Sequence, residues 1–499
     1  MEIEGKSKGE NDLDVGQPGF KFNNEKHKKL IDEINNQVLP VFEKVNKHPE
    51  NNSAYKLRKG RFFGAHPISL EKKYLKEIKD NFADFLVCEK SDGTRYLMYI
   101  SNFGEVYLSG RGDDFYLINM PIPPSMVKQK DNEMTIMYIF DGELIIDERE
   151  GKKWMVYLMF DALMFNEELV FDKTYAERLK YCLQFSSMRG NLLRLGRDLK
   201  SSQPGIIIDQ IKRTKQPRVK IAVKDFFQVD ACSFIFEKMV PRLPHENDGL
   251  IFTRNSKPYP VGATSSIIKW KPPEYNTIDF LVVNNVTWEP EYGKRILDLY
   301  VTRYNRQTEE TEYVLFDVMV ADEEVFNKIG DELDIREMGD DIAYKNAGEA
   351  DRKKVIAECK FDAHHSDETY TQLLNNYLDK AEDNVTELLE NSALSSNLYS
   401  DDDVRNNLHL CFDKKIKYMK GNWVLFRIRS DKNAPNAFNT ARNVFSCIFE
   451  DIGINEIEKE ISSAVTQPEI HNAPVNGKQQ RQGPPIEEEP DLVKKYKHQ

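Results

Sequence analysis

The chain has 499 residues, and its 70 Lys and Arg residues against 82 Asp and Glu residues give a formal net charge of −12. With 40% hydrophobic and 30% charged residues, the composition indicates a globular protein of two or three domains rather than a disordered chain. The longest strongly apolar run, residues 155–165, is too short to cross a bilayer, so we expect no membrane partner. The acidic total argues against binding nucleic acid over a large surface, so an RNA or DNA substrate would have to meet a local basic cleft.

The first half of the chain predicts a domain of mixed helices and strands. Residues 1–25 are polar and predict a flexible N-terminus, and an amphipathic helix follows, which Pro40 should kink or divide. Up to residue 273, short β-rich runs alternate with turn residues, and a helical stretch covers residues 175–185. This pattern predicts an α+β domain over residues 26–273, built on antiparallel sheets.

The second half predicts a smaller all-β domain over residues 274–452. Apolar runs at residues 278–286, 296–304 and 312–320 predict strands of a small barrel, and an acidic segment of about residues 321–403 interrupts them as an insertion. The barrel should close near residues 421–431, followed by a helix over residues 435–452. Residues 453–499 are predicted to be mostly disordered. We therefore predict two domains with a cleft between them.

Several charged motifs follow one another along the chain. Lys90-Ser91-Asp92-Gly93 lies between two apolar runs, where an Asp-Gly turn is first of all a hairpin signal. Each further cluster, taken singly, is more often surface charge than a catalytic group. Their occurrence together and in this order indicates one shared site. The clusters are Arg95, Asp141-Gly142-Glu143, Asp248-Gly249, Lys269-Trp270-Lys271, and the run of Trp423, Arg427, Arg429, Asp431 and Lys432.

In this combination the motifs resemble the covalent nucleotidyltransferases, which comprise mRNA capping guanylyltransferases and polynucleotide ligases. From about residue 66 to residue 451 the chain resembles the stand-alone fungal capping guanylyltransferases. Three features favour capping over ligation: the tryptophan in KWKPP, the NTIDF that follows it, and WVLFRIRSDK. The resemblance implies a nucleotidyltransferase domain of the ATP-grasp-like ligase and capping type, an OB-fold barrel domain, and a cleft between them.

The reaction that this resemblance implies is attack of a lysine amine on the α-phosphorus of a nucleoside triphosphate, which forms a phosphoramidate and releases pyrophosphate. A free lysine, with a pKa of about 10.4, is almost entirely ammonium at neutral pH and cannot attack. Because nearby cations oppose protonation, we expect Lys269, Lys271 and the arginines to favour the free amine of Lys90 and to neutralise the triphosphate. We also expect a Mg²⁺ or Mn²⁺ ion that bridges phosphate oxygens.

The resemblance implies a role for each motif residue. Lys90 is the nucleophile that becomes linked to GMP. Asp248, with Glu143, binds the divalent ion. The groups that bind GTP are Arg95, Arg111 and Glu143 at the ribose and its 5′ end, Lys269 and Lys271 at the α-phosphate, and Arg429, Asp431 and Lys432 at the β- and γ-phosphates.

The base pocket is less closely defined. Phe160 in FDAL would stack on one face of guanine and Ile251 on the other, with ordinary core packing as the alternative for both residues. Lys224 would donate to guanine O6, where adenine presents an amino donor instead. The alternative for Lys224 is an ordinary surface lysine.

Together these implications predict an mRNA guanylyltransferase that transfers GMP from GTP to the 5′-diphosphate end of nascent RNA and forms the GpppN cap. The alternatives are an ATP-dependent polynucleotide ligase and an adaptor that keeps the fold without the activity. The resemblance to fungal enzymes also implies a nuclear location. Its implied partners are a separate RNA 5′-triphosphatase subunit and the phosphorylated C-terminal tail of RNA polymerase II.

Overall fold

The computed structural model describes residues 16–51, 62–111, 114–120, 122, 133–187, 218–285, 294–305, 308–329, 334–336, 355–362, 422–430 and 432–465. The strands in these ranges form three sheets, and helices pack against them. No helix within these ranges is long and apolar enough to cross a membrane.

The elements are numbered in chain order. The helices are α1 (Lys28–Asn46), α2 (Lys72–Asp80), α3 (Tyr175–Ser187), α4 (Glu323–Ile329), α5 (Phe438–Glu450) and α6 (Ile454–Val465), and short helical turns lie between residues 229 and 242. The strands are β1 (Phe20–Lys21), β2 (Ala65–Ser69), β3 (Phe85–Ser91), β4 (Thr94–Ser101), β5 (Val106–Ser109), β6 (Phe115–Ile118), β7 (Ile136–Arg149), β8 (Lys152–Phe165), β9 (Glu168–Leu169), β10 (Val219–Val223), β11 (Phe227–Gln228), β12 (Asn247–Arg254), β13 (Gly262–Trp270), β14 (Thr277–Asn285), β15 (Lys294–Asn305), β16 (Glu310–Asp322), β17 (Asp334–Arg336), β18 (Val355–Asp362) and β19 (Asn422–Ile428).

The first sheet runs in the order β1-β6-β5-β4-β7-β8-β10, with β9 paired to β8. Its pairs are antiparallel apart from β10, which lies parallel to β8. Because side chains alternate across a strand, Leu97 and Tyr99 of β4 pack in one cluster with α1, whereas Tyr96 and Met98 pack in another with α3. The sheet is thus buried on both faces, which explains the near-continuous apolar runs of this region.

The second sheet runs in the order β11-β3-β12-β13-β2. Its pairs are antiparallel except that β2 lies parallel to β13. Side chains of α2, of the helical turns at residues 229–242 and of α6 form one buried cluster with this sheet. The predicted antiparallel sheets are therefore confirmed for most strand pairs of residues 26–273, with parallel pairs at the edges of both sheets.

The third sheet runs in the order β16-β15-β14-β18-β19, and β17 pairs with β14. The two end strands, β16 and β19, contact each other, and Trp423 Nε1 of β19 donates to Asp317 Oδ2 of β16 at 2.7 Å. Ala441 and Phe445 of α5 pack into the core of this sheet beside Trp423. A closed OB-fold barrel stays a prediction, since the described ladders join neighbouring strands only along this order.

The N-terminal prediction is wrong for part of residues 1–25. Phe20–Lys21 forms β1, which pairs with β6. Phe22 is buried and stacks on Phe115, with ring centroids 5.6 Å apart. Helix α1 also continues through Pro40, so the helix is not divided there, and the alternative of a kink at Pro40 stays a prediction. Its buried apolar face holds it on the first sheet, which compensates for the missing proline N–H.

The C-terminal segment contains one helix. Residues 453–465 belong to the segment predicted as mostly disordered, and they contain α6. Ile457 and Ile461 of this helix are buried against the second sheet. The spacing of these apolar residues indicates a helix, but the average composition of residues 453–499 is polar and does not show it. Residues 466–499 lie outside the described residues.

The acidic insertion of about residues 321–403 contains α4, β17 and β18 in its described part, and β18 matters most for the fold. Strand β18 lies between β14 and β19 and pairs antiparallel with both. The segment is therefore not only a solvated insertion, since it supplies an interior strand of the third sheet. The alternating apolar residues of β18 were hidden by the acidic residues around them.

Candidate functional site

A cavity of about 710 Å³ lies between the first and second sheets. This volume is within the range of about 300–1,000 Å³ that small-ligand sites occupy. Apart from Thr440 of α5, the residues that line this cavity lie within residues 26–273, and the cleft between the two domains stays a prediction. Residues that line it include Arg95, Arg111, Glu143 and Phe160 from the side of the first sheet, Lys90, Ile251, Lys269 and Lys271 from the side of the second, and Thr440 of α5.

Lys90 is placed by the pairing of β3 with β12. The register of this ladder shifts between Asn247 and Leu250, so that Asp248 and Gly249 bulge opposite Lys90. Lys90 Nζ lies 2.5 Å from Asp248 Oδ1, and Lys271 Nζ lies 2.6 Å from Asp248 Oδ2. The fold thus brings together three charged groups from three separate motifs, and one carboxylate links the two lysines.

The electrostatics of this group differ in one respect from the expectation. Burial raises the pKa of the Asp248 carboxyl, but Lys90 and Lys271 outweigh burial and hold that pKa below its usual value. Burial, followed by the cations of Lys90 and Lys271, lowers the pKa of Lys269. The expected cluster of cations is present. However, the group that contacts the Lys90 ammonium is a carboxylate, which the sequence argument had assigned only to metal binding.

Gly249 is required by the close approach of β12 and β13. Its φ is +151°, a conformation that other residues rarely adopt. A Cβ atom at this position would lie 2.0 Å from the carbonyl oxygen of Trp270. Only glycine therefore lets Asp248 sit beside the strand that carries Lys269 and leads into Lys271.

Arg95 is held in the wall of the cavity by Asp141, a carboxylate on the adjacent strand β7. Nε of Arg95 donates to Asp141 Oδ1 at 2.9 Å, and Nη2 donates to Oδ2 at 2.5 Å. Asp141 is fully buried, so this bidentate pair is shielded from solvent. The guanidinium also lies 5.4 Å from the ring centroid of Phe160. Arg95, Arg111 and Phe160 thus line one cavity, as the sequence predicts.

Lys224 is buried and hydrogen-bonded next to Lys90, the predicted nucleophile. Its Nζ donates to Ser91 Oγ at 2.6 Å and to the carbonyl oxygen of Glu89 at 3.1 Å, and Ser91 Oγ donates to Glu143 Oε2 at 2.9 Å. Burial lowers the pKa of Lys224, but the Glu89 carboxylate outweighs burial and raises it. The surface-lysine alternative is therefore wrong. A guanine O6 would have to share or replace one of these partners.

Comparison with known proteins identifies the family. Residues 43–273 match the family described as mRNA capping enzyme, catalytic domain, and residues 388–457 match mRNA capping enzyme, C-terminal domain. Together the two matches span more than half of the chain. The chain belongs to the mRNA capping enzyme family.

Individual relatives agree with this assignment. The mRNA-capping enzyme subunit alpha of Schizosaccharomyces pombe is 33% identical over 244 residues, which cover 46% of this chain and 56% of that protein. The mRNA-capping enzyme of Danio rerio is 32% identical over 250 residues, covering 49% of this chain and 38% of that protein. The matched regions thus span less than two thirds of either relative. Among solved structures, mycobacterial DNA ligase D aligns with 61% of this chain and 90% of that chain, at 12% identity and a TM-score of 0.29, which is too weak a likeness to bear on the fold.

The two predicted base-stacking residues of this capping-enzyme chain come from different sheets. Phe160 lies on β8 and Ile251 on β12, and both side chains are partly exposed and line the cavity. The hydroxyl of Tyr175 donates to the carbonyl oxygen of Phe160 at 2.7 Å, which fixes the backbone at this position. Their placement on two walls is compatible with a base between them, and the stacking itself stays a prediction.

Arg429 and Lys432 follow β19 of the third sheet and are not among the residues that line the cavity. Arg429 Nη1 pairs with Asp279 Oδ1 at 3.1 Å and with Glu358 Oε2 at 3.4 Å, and Lys432 pairs with the other oxygen of Asp279. Asp279 is the acidic residue of NTIDF and is buried. The contact of these cations with phosphates stays a prediction, and Asp431 lies outside the described residues.

The donors available to a divalent ion are the two predicted carboxylates. Across the described ranges, no three His, Cys, Asp or Glu side chains form a metal-binding group. Asp248 and Glu143 nevertheless fit the mode in which Mg²⁺ takes one or two protein carboxylates and receives its other ligands from phosphates and water. Both oxygens of Asp248 pair with lysines, so an ion there would compete with Lys90 and Lys271.

Sequence reasoning missed several residues that support the site. Glu89 and Ser91 flank Lys90 and accept hydrogen bonds from Lys224. Asp161 forms a buried bidentate pair with Arg178 of α3, with distances of 2.7 and 3.0 Å. A signal for Asp161 was present, because a lone acidic residue inside a strongly apolar run is costly to bury without a partner.

Proposed function

We propose that this chain is an mRNA guanylyltransferase. It transfers GMP from GTP to Lys90 and then to the 5′-diphosphate end of RNA, which makes the GpppN cap. The observation that carries the proposal is the position of Lys90 at a cavity of nucleotide size, linked through Asp248 to Lys271 and close to Lys269. Membership of the mRNA capping enzyme family supports the same reaction.

In the first step, the free amine of Lys90 attacks the α-phosphorus of GTP. A P–N bond forms, the bond to the β-phosphate oxygen breaks, and its electron pair leaves with pyrophosphate. Lys90 attacks as the neutral amine, because an ammonium has no free electron pair, and its nitrogen loses one proton to solvent as the phosphoramidate forms. Lys269 and Lys271 line the same cavity and would neutralise the phosphate oxygens as charge moves to the leaving group.

In the second step, a β-phosphate oxygen of the RNA attacks the same phosphorus. The P–N bond breaks, and the Lys90 nitrogen takes up a proton, which restores the enzyme. Pyrophosphate must leave and RNA must enter between the two steps. We therefore propose that the cleft closes for the first transfer and opens for the second. Arg429 and Lys432 would exchange Asp279 and Glu358 for phosphate oxygens on closing.

We propose that Mg²⁺ or Mn²⁺ acts with GTP, held by Asp248 and Glu143. When bound, such an ion neutralises phosphate charge and favours departure of pyrophosphate. Arg95, Arg111 and Glu143 would bind the ribose and its 5′ end, and Phe160 and Ile251 would enclose the guanine. Lys224 would favour guanine over adenine from its position beside Ser91 and Glu89.

Fungal relatives are named mRNA-capping enzyme subunit alpha, a name that indicates an enzyme of more than one subunit in those organisms. We propose the same kind of arrangement here, with a separate RNA 5′-triphosphatase that supplies the 5′-diphosphate end. We further propose a nuclear location and binding to the phosphorylated C-terminal tail of RNA polymerase II.

The test is covalent labelling of the full chain with α-³²P-GTP and Mg²⁺, followed by denaturing gel electrophoresis. We expect label on the wild-type protein and none on Lys90→Ala. Lys328→Ala is the matched control, since Lys328 is an exposed lysine on α4, far in sequence from the motifs, and should label as the wild type does. Label from α-³²P-ATP in place of GTP would favour a ligase.

The second step is tested by a chase. The isolated, labelled protein should pass its label to RNA with a 5′-diphosphate and not to RNA with a 5′-monophosphate. Equal labelling of Lys90→Ala and wild type would refute the assignment of the nucleophile. A stable adduct that no RNA end can discharge would refute the cap-forming step.

A further inference from the structure

Arg95 belongs to a closed ring of buried hydrogen bonds that includes a tyrosine outside all the motifs. Tyr259 lies between β12 and β13 and is 1% exposed. Its hydroxyl donates to Asp141 Oδ2 at 2.5 Å, on the same carboxylate that binds Arg95. The amide N–H of Ala65 donates to the Tyr259 hydroxyl at 3.3 Å, and the Ala65 carbonyl accepts from Arg95 Nη1 at 2.5 Å. The ring therefore runs from Arg95 through Asp141, Tyr259 and Ala65 back to Arg95.

The Tyr259 hydroxyl can act only as a donor toward Asp141. Burial, together with the Asp141 carboxylate, raises the pKa of the Tyr259 phenol well above its usual value, so the phenol keeps its proton at neutral pH. A carboxylate accepts and cannot donate. Asp141 is fully buried, so loss of this donor would leave one of its oxygens with fewer partners and no access to water.

The backbone fixes the place of the phenol. The amide N–H of Tyr259 donates to the carbonyl oxygen of Phe171 at 2.7 Å, and its own carbonyl accepts from Asn51 Nδ2 at 2.9 Å. These bonds tie Tyr259 to the segment after β9 and to the segment after α1. The phenol is therefore a fixed part of the cavity wall, and the carboxylate that it holds has one orientation.

The orientation of Asp141 in turn decides which edge of Arg95 remains for a ligand. A guanidinium has five N–H groups, and Asp141 takes two while the Ala65 carbonyl takes one. One N–H on each terminal nitrogen is left. The rings of Phe62 and Phe160 lie at 5.3 and 5.4 Å from Cζ, so the two remaining groups are held between aromatic walls.

We propose that Tyr259 is a positioning residue that acts through Asp141 to aim Arg95 at the ribose of the bound nucleotide. The inference rests on the proposed function, because it concerns the nucleotide that Lys90 attacks. Tyr259 also lines the cavity, but its hydroxyl donates to Asp141 and accepts from Ala65, so we assign its effect to Asp141 and not to a contact with the nucleotide. Its contribution is to keep the Asp141 carboxylate, and with it the free edge of Arg95, in one orientation before the nucleotide arrives.

The test is Tyr259→Phe, which removes one oxygen and keeps the ring. Tyr107→Phe is the matched control, because Tyr107 is also 1% exposed and its hydroxyl also donates to a carboxylate, Glu105, at 2.7 Å. The rate of adduct formation is measured against GTP concentration. For Tyr259→Phe we expect a rise of about tenfold in the half-saturating GTP concentration, with a maximal rate within about twofold of wild type. Tyr107→Phe should change neither.

A second arm asks whether the effect passes through the ribose. The same curves are measured with 2′-deoxy-GTP and 3′-deoxy-GTP. If Arg95 contacts one of these hydroxyls, Tyr259→Phe should raise the half-saturating concentration much less with the analogue that lacks it than with GTP. The half-saturating concentration of GTP and that of each analogue are properties of the folded enzyme alone. A partly unfolded preparation lowers only the maximal rate, so it does not produce the same change.

The outcomes separate this inference from the proposed function. A wild-type protein that forms no adduct with GTP would refute the function. An active wild type whose Tyr259→Phe variant keeps the wild-type half-saturating concentration would refute the inference alone. An equal rise with GTP and with both analogues would also overturn it, because that result describes a general disturbance of the cavity and not the aim of Arg95.

Discussion

Glu450, the last residue of α5, makes the stability of this protein depend on pH. Its Oε2 accepts from the amide N–H of Lys72 at the start of α2, at 2.7 Å. Burial raises the pKa of Glu450 to about 7, with the Lys72 amide acting against this and Glu71 adding to it. Helix α5 thus contacts helix α2 through the Glu450 carboxyl, which gains a proton near neutral pH.

The sign of the effect follows from the raised pKa. The folded state binds a proton at Glu450 more tightly than the unfolded state, in which the pKa is near 4.5. This contribution to the free energy of unfolding is fully present below about pH 4.5 and is lost as pH rises through about 7. At about 1.4 kcal/mol per pKa unit, the full difference is about 3.5 kcal/mol. Glu450 is partly exposed, so solvent screening reduces the expected value to about 1–2 kcal/mol.

The perturbation that isolates this group is Glu450→Gln, whose amide oxygen can still accept from Lys72 but carries no charge. Urea unfolding at pH 5, 6, 7 and 8 should show the variant equal to wild type at pH 5 and more stable by about 1–2 kcal/mol at pH 8. Glu458→Gln, at an exposed position on α6, is the control and should follow wild type at every pH. A variant that is no more stable than wild type at pH 8 would refute this account.

Two further outcomes are expected. Ile461→Ala should lower the free energy of unfolding by about 2–4 kcal/mol, because Ile461 is 1% exposed within the cluster that joins α6 to the second sheet. Urea unfolding measures this loss. A loss below about 1 kcal/mol would mean that α6 does not pack on the second sheet in solution. Gly249→Ala should slow adduct formation at least about tenfold, because its Cβ must displace the strand that carries Lys269. Gly453→Ala is the control and should label normally, because a Cβ there meets nothing within 4 Å. Equal labelling of the two variants would contradict the packing argument.

The chemical groups of the site were accessible to sequence reasoning. Lys90, Arg95, Glu143, Lys269 and Lys271 lie in short motifs whose order along the chain is unusual, and the fold brings all of them to one cavity. The strands that carry them were also predictable, because a buried strand has a local apolar pattern. The contact of Arg429 and Lys432 with phosphates, which rests on the same motif logic, stays a prediction, and the ion pairs with Asp279 and Glu358 were not predicted.

The errors share a cause. Residues 20–22, α6 and β18 each lie in a segment whose average composition is polar or acidic, and a few apolar residues at the right spacing decide their structure. Averages over long segments hide such residues. Whether they fold depends on a surface that can cover them, and the first, second and third sheets each provide one.

By itself, therefore, the sequence determined which charged residues gather at the cavity and which strands carry most of them, since both follow from local spacing. Only the tertiary structure decided which charges touch. The bulge in β12 sets Asp248 against Lys90, and the packing of the segment before β13 sets Tyr259 against Asp141. Both contacts join residues more than one hundred positions apart, and their geometry depends on strand register and burial, which no short stretch of sequence specifies.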